Sequence, residues 1–155
     1  MRVEPAMEAH MRRAIALGDA AANREPADVP VGALVIGPDG GVVAEGTNER
    51  ELHNDPTGHA ELVAMRAAAK QLGDCHLEGC TVVVTLEPCA MCAGAIAQAR
   101  VERVVFGAWD DKAGAAGSVV DLLRDRRLPH RVEVVSDVLA AECAEQLRAF
   151  FAAKR

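Results

Sequence analysis

Residues 81–108, TVVVTLEPCAMCAGAIAQARVERVVFGA, decide the fold. Thr81–Thr85 is a β-branched run of the buried-strand type. Pro88 then opens a helix reaching about Arg100, because the N–H that proline lacks would have no partner in a first helical turn. Arg103–Gly107 carries Val104, Val105 and Phe106 and reads as the next strand. A strand, a helix and a second strand in this order predict parallel neighbours joined by a right-handed crossover.

Outward from this unit the chain alternates in the same way. Residues 5–22 place Met7, Met11, Ala14 and Ile15 at helical spacing behind Pro5. Val31–Ile36 and Val42–Gly46 flank Gly37-Pro38-Asp39-Gly40-Gly41, which predicts an antiparallel hairpin. A polar loop from Thr47 to Gly58 leads into a helix over His59–Leu72, with Thr57 as the expected N-cap. Val132–Val135 is the fifth strand candidate. Asp137 is the expected cap of a last helix, where Leu139, Cys143, Leu147 and Phe150 or Phe151 recur at helical spacing. The predicted architecture is α/β: a three-layer α/β/α sandwich with a five-stranded mixed sheet, formed as one domain over residues 1–155.

Half of the 155 residues are apolar, enough to bury a substantial core. No apolar run approaches the roughly 20 residues that span a bilayer, and the N-terminal residues lack the layout of a secretory signal, so a cytoplasmic location without membrane contact is expected. Five irregularly spaced cysteines in that compartment are better suited to metal ligation than to a disulfide framework. The net charge of −6 argues mildly against a polyanionic partner. Residues 1–90 hold seven basic and fourteen acidic side chains, whereas residues 91–155 hold ten and nine, so any phosphate contact favours the second half. Arg124, Arg126, Arg127, His130 and Arg131 crowd together there, as a phosphate-binding face or as a solvated surface.

Two strings carry chemistry: His59-Ala60-Glu61 and Pro88-Cys89-Ala90-Met91-Cys92. Both fall at predicted helix starts. Cys89 and Cys92, three residues apart, can turn both sulfurs toward one point, and a helix N-terminus favours the thiolate that binds zinc. With His59 they make three ligands. A structural zinc site normally has four, and a catalytic one keeps a position open. Glu61 lies two residues from His59, so on a regular helix it points elsewhere and is read as a proton carrier, not a fourth ligand.

The His-x-Glu and Pro-Cys-x-x-Cys pair resembles the signature of zinc nucleobase deaminases. Val29–Ala33, Asn48 with Arg50-Glu51, Asp55–Glu61, Thr85–Ala95, Val104–Ala108 and Gly114–Ser118 are similar to the bacterial tRNA-specific adenosine deaminases, and the likeness runs almost end to end. It implies a cytidine-deaminase-like fold, a homodimer and one Zn2+ per subunit held by His59, Cys89 and Cys92. It also implies hydrolytic conversion of adenosine to inosine at the wobble position of an arginine tRNA anticodon, with Glu61 moving the protons. Asn48 matches an asparagine that hydrogen-bonds the substrate nucleotide, and Asp110 a loop aspartate near the ribose. Two other readings stay open: a deaminase of free guanine or cytosine, or of their nucleosides, on the same fold, and a noncatalytic module stabilised by zinc.

Trp109-Asp110-Asp111-Lys112-Ala113 departs from the family's more basic loop. Its indole offers a stacking surface for a neighbouring base or a core or dimer contact. Cys75 and Cys80 read as reduced structural thiols, Cys143 as core, and His53 as either a surface residue or an anticodon neighbour.

Overall fold

The computed structural model describes residues 4–154. The elements are α1 (Pro5–Ala22), β1 (Gly32–Ile36), β2 (Val42–Thr47), α2 (Arg50–His53), α3 (Ala60–Leu72), β3 (Thr81–Leu86), α4 (Ala90–Gln98), β4 (Arg103–Ala108), β5 (Glu133–Val135) and α5 (Ala140–Ala153). The strands form one mixed sheet in the order β2-β1-β3-β4-β5. β1 pairs antiparallel with β2 and β3, whereas β3–β4 and β4–β5 are parallel. The hairpin, the strand–helix–strand unit and the five-stranded mixed sheet are therefore as the sequence implied.

The period of two along each strand divides the core. Ala33, Val35, Val82, Val84, Val104 and Phe106 point to one face and pack with Ala60, Ala64, Ala68, Cys92, Ala93 and Ile96 of α3 and α4. Leu34, Val83 and Val105 point to the other and pack with Met7, Met11 and Ala14 of α1 and Cys143 of α5. Each buried Val, Leu, Ile, Met or Phe among them contributes about 1.5–3 kcal/mol, and each alanine methyl about 0.8. Small residues let α3 lie close on the sheet: a Cβ at Gly46 of β2 would stand 2.4 Å from the Ala60 carbonyl oxygen. That closeness sets the start of α3 beside the ends of the strands.

Several predicted boundaries change. The loop after β2 contains the short α2. Its acceptor is the buried Asp28, whose Oδ1 and Oδ2 take the N–H groups of Glu51 and Leu52 at 2.7 and 3.2 Å. Thr57 does not cap α3. Its hydroxyl donates to Asp55 at 2.8 Å, and His59 stands at the N-cap position. Asp137 does not cap α5 either: Leu139, at φ 53°, precedes that helix, and the Asp137 carboxylate receives the Trp109 indole N–H. α4 spans fewer residues than predicted, with Cys89 at its N-cap position and Arg100 at φ 58° beyond its end.

Candidate active site

A cavity of about 190 Å3 opens at the carboxyl ends of β3 and β4, where ligands of open α/β sheets commonly bind. Its lining includes Val29, Asn48, His59, Glu61, Cys89 and Asp110, which brings all the predicted site residues except the buried Cys92 onto its wall. Cys92 stands directly behind. His59 Nδ1 lies 3.5 Å from Cys89 Sγ and 3.4 Å from Cys92 Sγ. A tetrahedral ion with Zn–S of about 2.3 Å and Zn–N of about 2.05 Å needs N···S separations of about 3.6 Å. The three donor atoms, all within 4.8 Å of one another, therefore suit zinc in spacing and in softness.

Electrostatics at the three donors follows from their closeness. Cys89 is drawn down to about 3, chiefly because Cys92 donates a hydrogen bond to it and further because His59 lies beside it. The same sulfur–sulfur contact, with burial, pushes Cys92 above the ordinary thiol range. A divalent cation shared by both sulfurs favours the thiolate at each.

Glu61, in the first turn of α3, is 4% exposed. Burial pushes its carboxyl up to about 7, against the opposing pull of its own backbone N–H and of His59. A carboxyl so placed can hold a proton or give it up near neutral pH, as a general acid–base requires. Asn48 is nearly buried. Its Nδ2 donates to the Val29 carbonyl and its Oδ1 accepts from Arg50 N–H, both at 3.2 Å, which fixes the amide while leaving one donor and one acceptor position to spare. Asp110 folds its Oδ1 back onto the N–H groups of Lys112 and Ala113 at 3.1 and 3.2 Å.

Two supports had no assigned role in the sequence reading. Glu87, 2% exposed, sits between the last residue of β3 and Pro88. Its Oε1 accepts from Asp110 N–H (2.9 Å) and the Ser118 hydroxyl (2.6 Å), and its Oε2 from the N–H groups of Ala116 (2.9 Å) and Ser118 (3.1 Å). Burial works to raise its pKa, but these four donors outweigh burial and hold it below the ordinary carboxylate value. Loop 110–118 is thereby tied down beside the cavity. On the opposite wall Arg24 donates to Asp28, to Thr47 Oγ1 and to the Asn48 carbonyl, anchoring the backbone of the asparagine. The available signal for Glu87 was a charged residue closing an otherwise apolar strand.

The remaining candidates lie elsewhere. Arg124 and Arg127 are paired with Asp121 and Asp125, so the basic cluster is partly neutralised within itself. His53 is exposed and faces Glu49 at 3.6 Å. Cys75 is exposed, while Cys80 and Cys143 are buried. Asp74, Cys75 and His76 also group their donor atoms, but on the exposed surface and with Asp74 already accepting the His76 N–H. A larger open groove of about 600 Å3, lined by His76, Gln98, Arg100 and His130 among others, does not include the His59, Cys89 and Cys92 donors.

Residues 5–108 match the model of the cytidine and deoxycytidylate deaminase zinc-binding region. The chain belongs to that family. This deaminase is 45% identical over 144 residues to the tRNA-specific adenosine deaminase of Bacillus subtilis, covering 93% of its own length and 88% of the relative's. It superposes with a TM-score of 0.85 and 39% identity on a chain solved in biochemical and structural studies of A-to-I editing by tRNA:A34 deaminases at the wobble position of transfer RNA, covering 90% and 99% of the two chains. It also superposes on a guanine deaminase from Nitrosomonas europaea, with a TM-score of 0.82 and 27% identity over 97% and 87%. The cytidine-deaminase-like fold and the hydrolytic deaminase class follow from these matches. No helix among the described residues of the deaminase is long and apolar enough to cross a membrane.

Proposed function

We propose that the protein converts adenosine to inosine at the wobble position of the anticodon of an arginine tRNA, as a cytoplasmic homodimer of one 155-residue deaminase domain with one zinc ion per subunit. The observation that carries this reading is Glu61, buried beside the His59, Cys89 and Cys92 donors in a cavity smaller than the roughly 300–1,000 Å3 of ordinary ligand pockets. A single extruded base suits that space. The near full-length likeness to tRNA-specific adenosine deaminases supports the choice of RNA.

His59, Cys89 and Cys92 would hold the zinc, which lowers the pKa of a water and so supplies a nucleophile at neutral pH. Glu61 takes a proton from the attacking water and passes it to purine N1 as the water's oxygen joins C6. The same carboxylate then carries the second proton to the exocyclic nitrogen, and the C6–N bond breaks to release ammonia and leave a carbonyl. The free donor and acceptor of Asn48 orient the nucleotide. Asp110, with Oδ1 engaged by its own loop, presents Oδ2 to a ribose hydroxyl.

Deamination of free guanine is the second reading, favoured by the likeness to the Nitrosomonas enzyme. One assay separates the two. An anticodon stem-loop with adenosine at the wobble position is expected to gain about one mass unit on conversion to inosine, with free guanine unchanged. Turnover of guanine with an inert stem-loop would reverse the assignment.

A further inference from the structure

We infer that the Trp109 indole is a stacking platform for a nucleobase next to the reactive one, with Arg124 set to meet the backbone of the same strand. The inference rests on the RNA reading above and names how that RNA is gripped. Trp109 is the chain's sole tryptophan and stands between the end of β4 and the cavity-lining Asp110. Its ring is fixed on three sides. It meets Phe106 edge-to-face, with centroids 4.9 Å apart and planes at 86°. Its Nε1–H is shared between the two carboxylate oxygens of Asp137 at 3.0 and 3.2 Å. Its six-membered edge lies against Gly117, where a Cβ would fall 3.3 Å from Cζ3 and where φ is +134°.

The residue that carries this firmly held ring is nevertheless 41% exposed. A tryptophan serving only the core would be covered, as the adjoining Phe106 is. The three anchors leave little side-chain freedom to lose on stacking, which makes contact with a base inexpensive in entropy. The occupant follows from the size of the cavity. Room for one base means that the flanking nucleotides of a bound RNA loop must cross the rim, and unstacked bases of single strands are recognised on aromatic faces.

The rim supplies the rest of what a nucleotide needs. Gly117 N–H bonds the Val120 carbonyl at 3.0 Å, which folds the exposed Val119 and Val120 close to the indole's position. Arg124 Nη2 also comes within 3.2 Å of a Cβ at Gly117, so guanidinium and indole converge on the same backbone point. Asp121 pairs with that guanidinium through both Nε and Nη2 at 2.8 Å and fixes its direction. The paired Arg124 side chain is 53% exposed, and its Nη1 donors, which take no part in the Asp121 pair, are the local feature that favours a phosphate over an apolar protein partner. Stacking reads no base edge, so the platform requires a base to be present and not a particular base.

The intrinsic emission of the protein tests this directly. With zinc-loaded full-length enzyme, an anticodon stem-loop carrying inosine at the reactive position is expected to quench the emission saturably. An abasic substitution at one flanking position abolishes the quench, while a changed base there does not. In turnover assays Trp109→Ala raises KM by about 5- to 150-fold with kcat within about twofold, and Trp109→Phe restores most of the loss. A stem-loop that is deaminated without any change in emission overturns the stacking alone. Emission that follows protein dilution and not RNA overturns it too, and assigns the indole to a subunit contact. A stem-loop neither bound nor deaminated overturns the RNA reading and this inference with it.

Discussion

Replacing Glu87 by Gln changes one oxygen to an amide nitrogen and keeps the side chain's shape. With the amide nitrogen in the place of Oε2, the N–H groups of Ala116 and Ser118 both lose their acceptor; with it in the place of Oε1, only Asp110 N–H does, because the Ser118 hydroxyl can turn to the Asp110 carbonyl 2.7 Å away and accept from the amide. A stranded donor costs about 1–3 kcal/mol in a buried site, so the substitution in its better orientation costs roughly 2 kcal/mol. For a chain of this size that lowers Tm by roughly 4–8 °C. The pH dependence has a definite sign. The folded pKa of Glu87 lies below the ordinary 4.5, so its stabilising contribution is complete above about pH 4.5 and is lost as pH falls through the lower folded value. Glutamine does not titrate. The stability gap between wild type and variant is therefore widest at neutral pH and narrows below about pH 4.5, as thermal or urea unfolding over a pH series will show. A Tm drop under about 2 °C at pH 7, or a gap that stays constant to pH 3.5, would refute the role given to the carboxylate.

Glu61→Gln is expected to keep its zinc and to lose about 10²–10⁴-fold in deamination rate, measured by metal analysis beside inosine formation; loss of the metal would instead make Glu61 a ligand. Removing zinc with a chelator should abolish activity, restorably, and raise the number of fast-reacting thiols from one, Cys75, to two as the cavity-lining Cys89 becomes free, with the buried Cys92 staying slow. An unchanged thiol count would contradict the ligand set. Asp28→Ala takes the acceptor from α2 and strips the largely buried Arg24 of its carboxylate partner. It should cost about 3 kcal/mol by urea unfolding and raise KM for the stem-loop through Asn48, and an unaltered KM would separate this pair from substrate binding.

The layered sheet was legible because burial writes itself into sequence as a period. Val82, Val83 and Val84 announce a strand covered on both faces, and Cys143, Leu147 and Phe150 a helix with one apolar stripe. The donor set was legible because zinc chemistry restricts ligands to a few residue types at short spacing. The supports around the site leave no such mark. Glu87 meets donors 23 to 31 residues away, and Arg24 reaches Asn48 across 24, through backbone groups that carry no residue identity. Local cap rules failed at Thr57 and Asp137 for a related reason. Each side chain had a nearer or better-placed partner, Asp55 for the hydroxyl and the Trp109 indole for the carboxylate.

Glu87 grips loop 110–118 almost wholly through main-chain N–H groups, with the Ser118 hydroxyl its only side-chain donor. The path of the loop is thus largely independent of which side chains it displays outward. Positions 111, 112 and 113 are exposed and make none of the contacts to Glu87, so they can be exchanged without moving Asp110. The enzyme in effect separates a fixed chassis from an interchangeable contact surface. Laboratory evolution of substrate preference should find its permissive sites at those outward positions, and should find the buried glutamate beneath them closed to change.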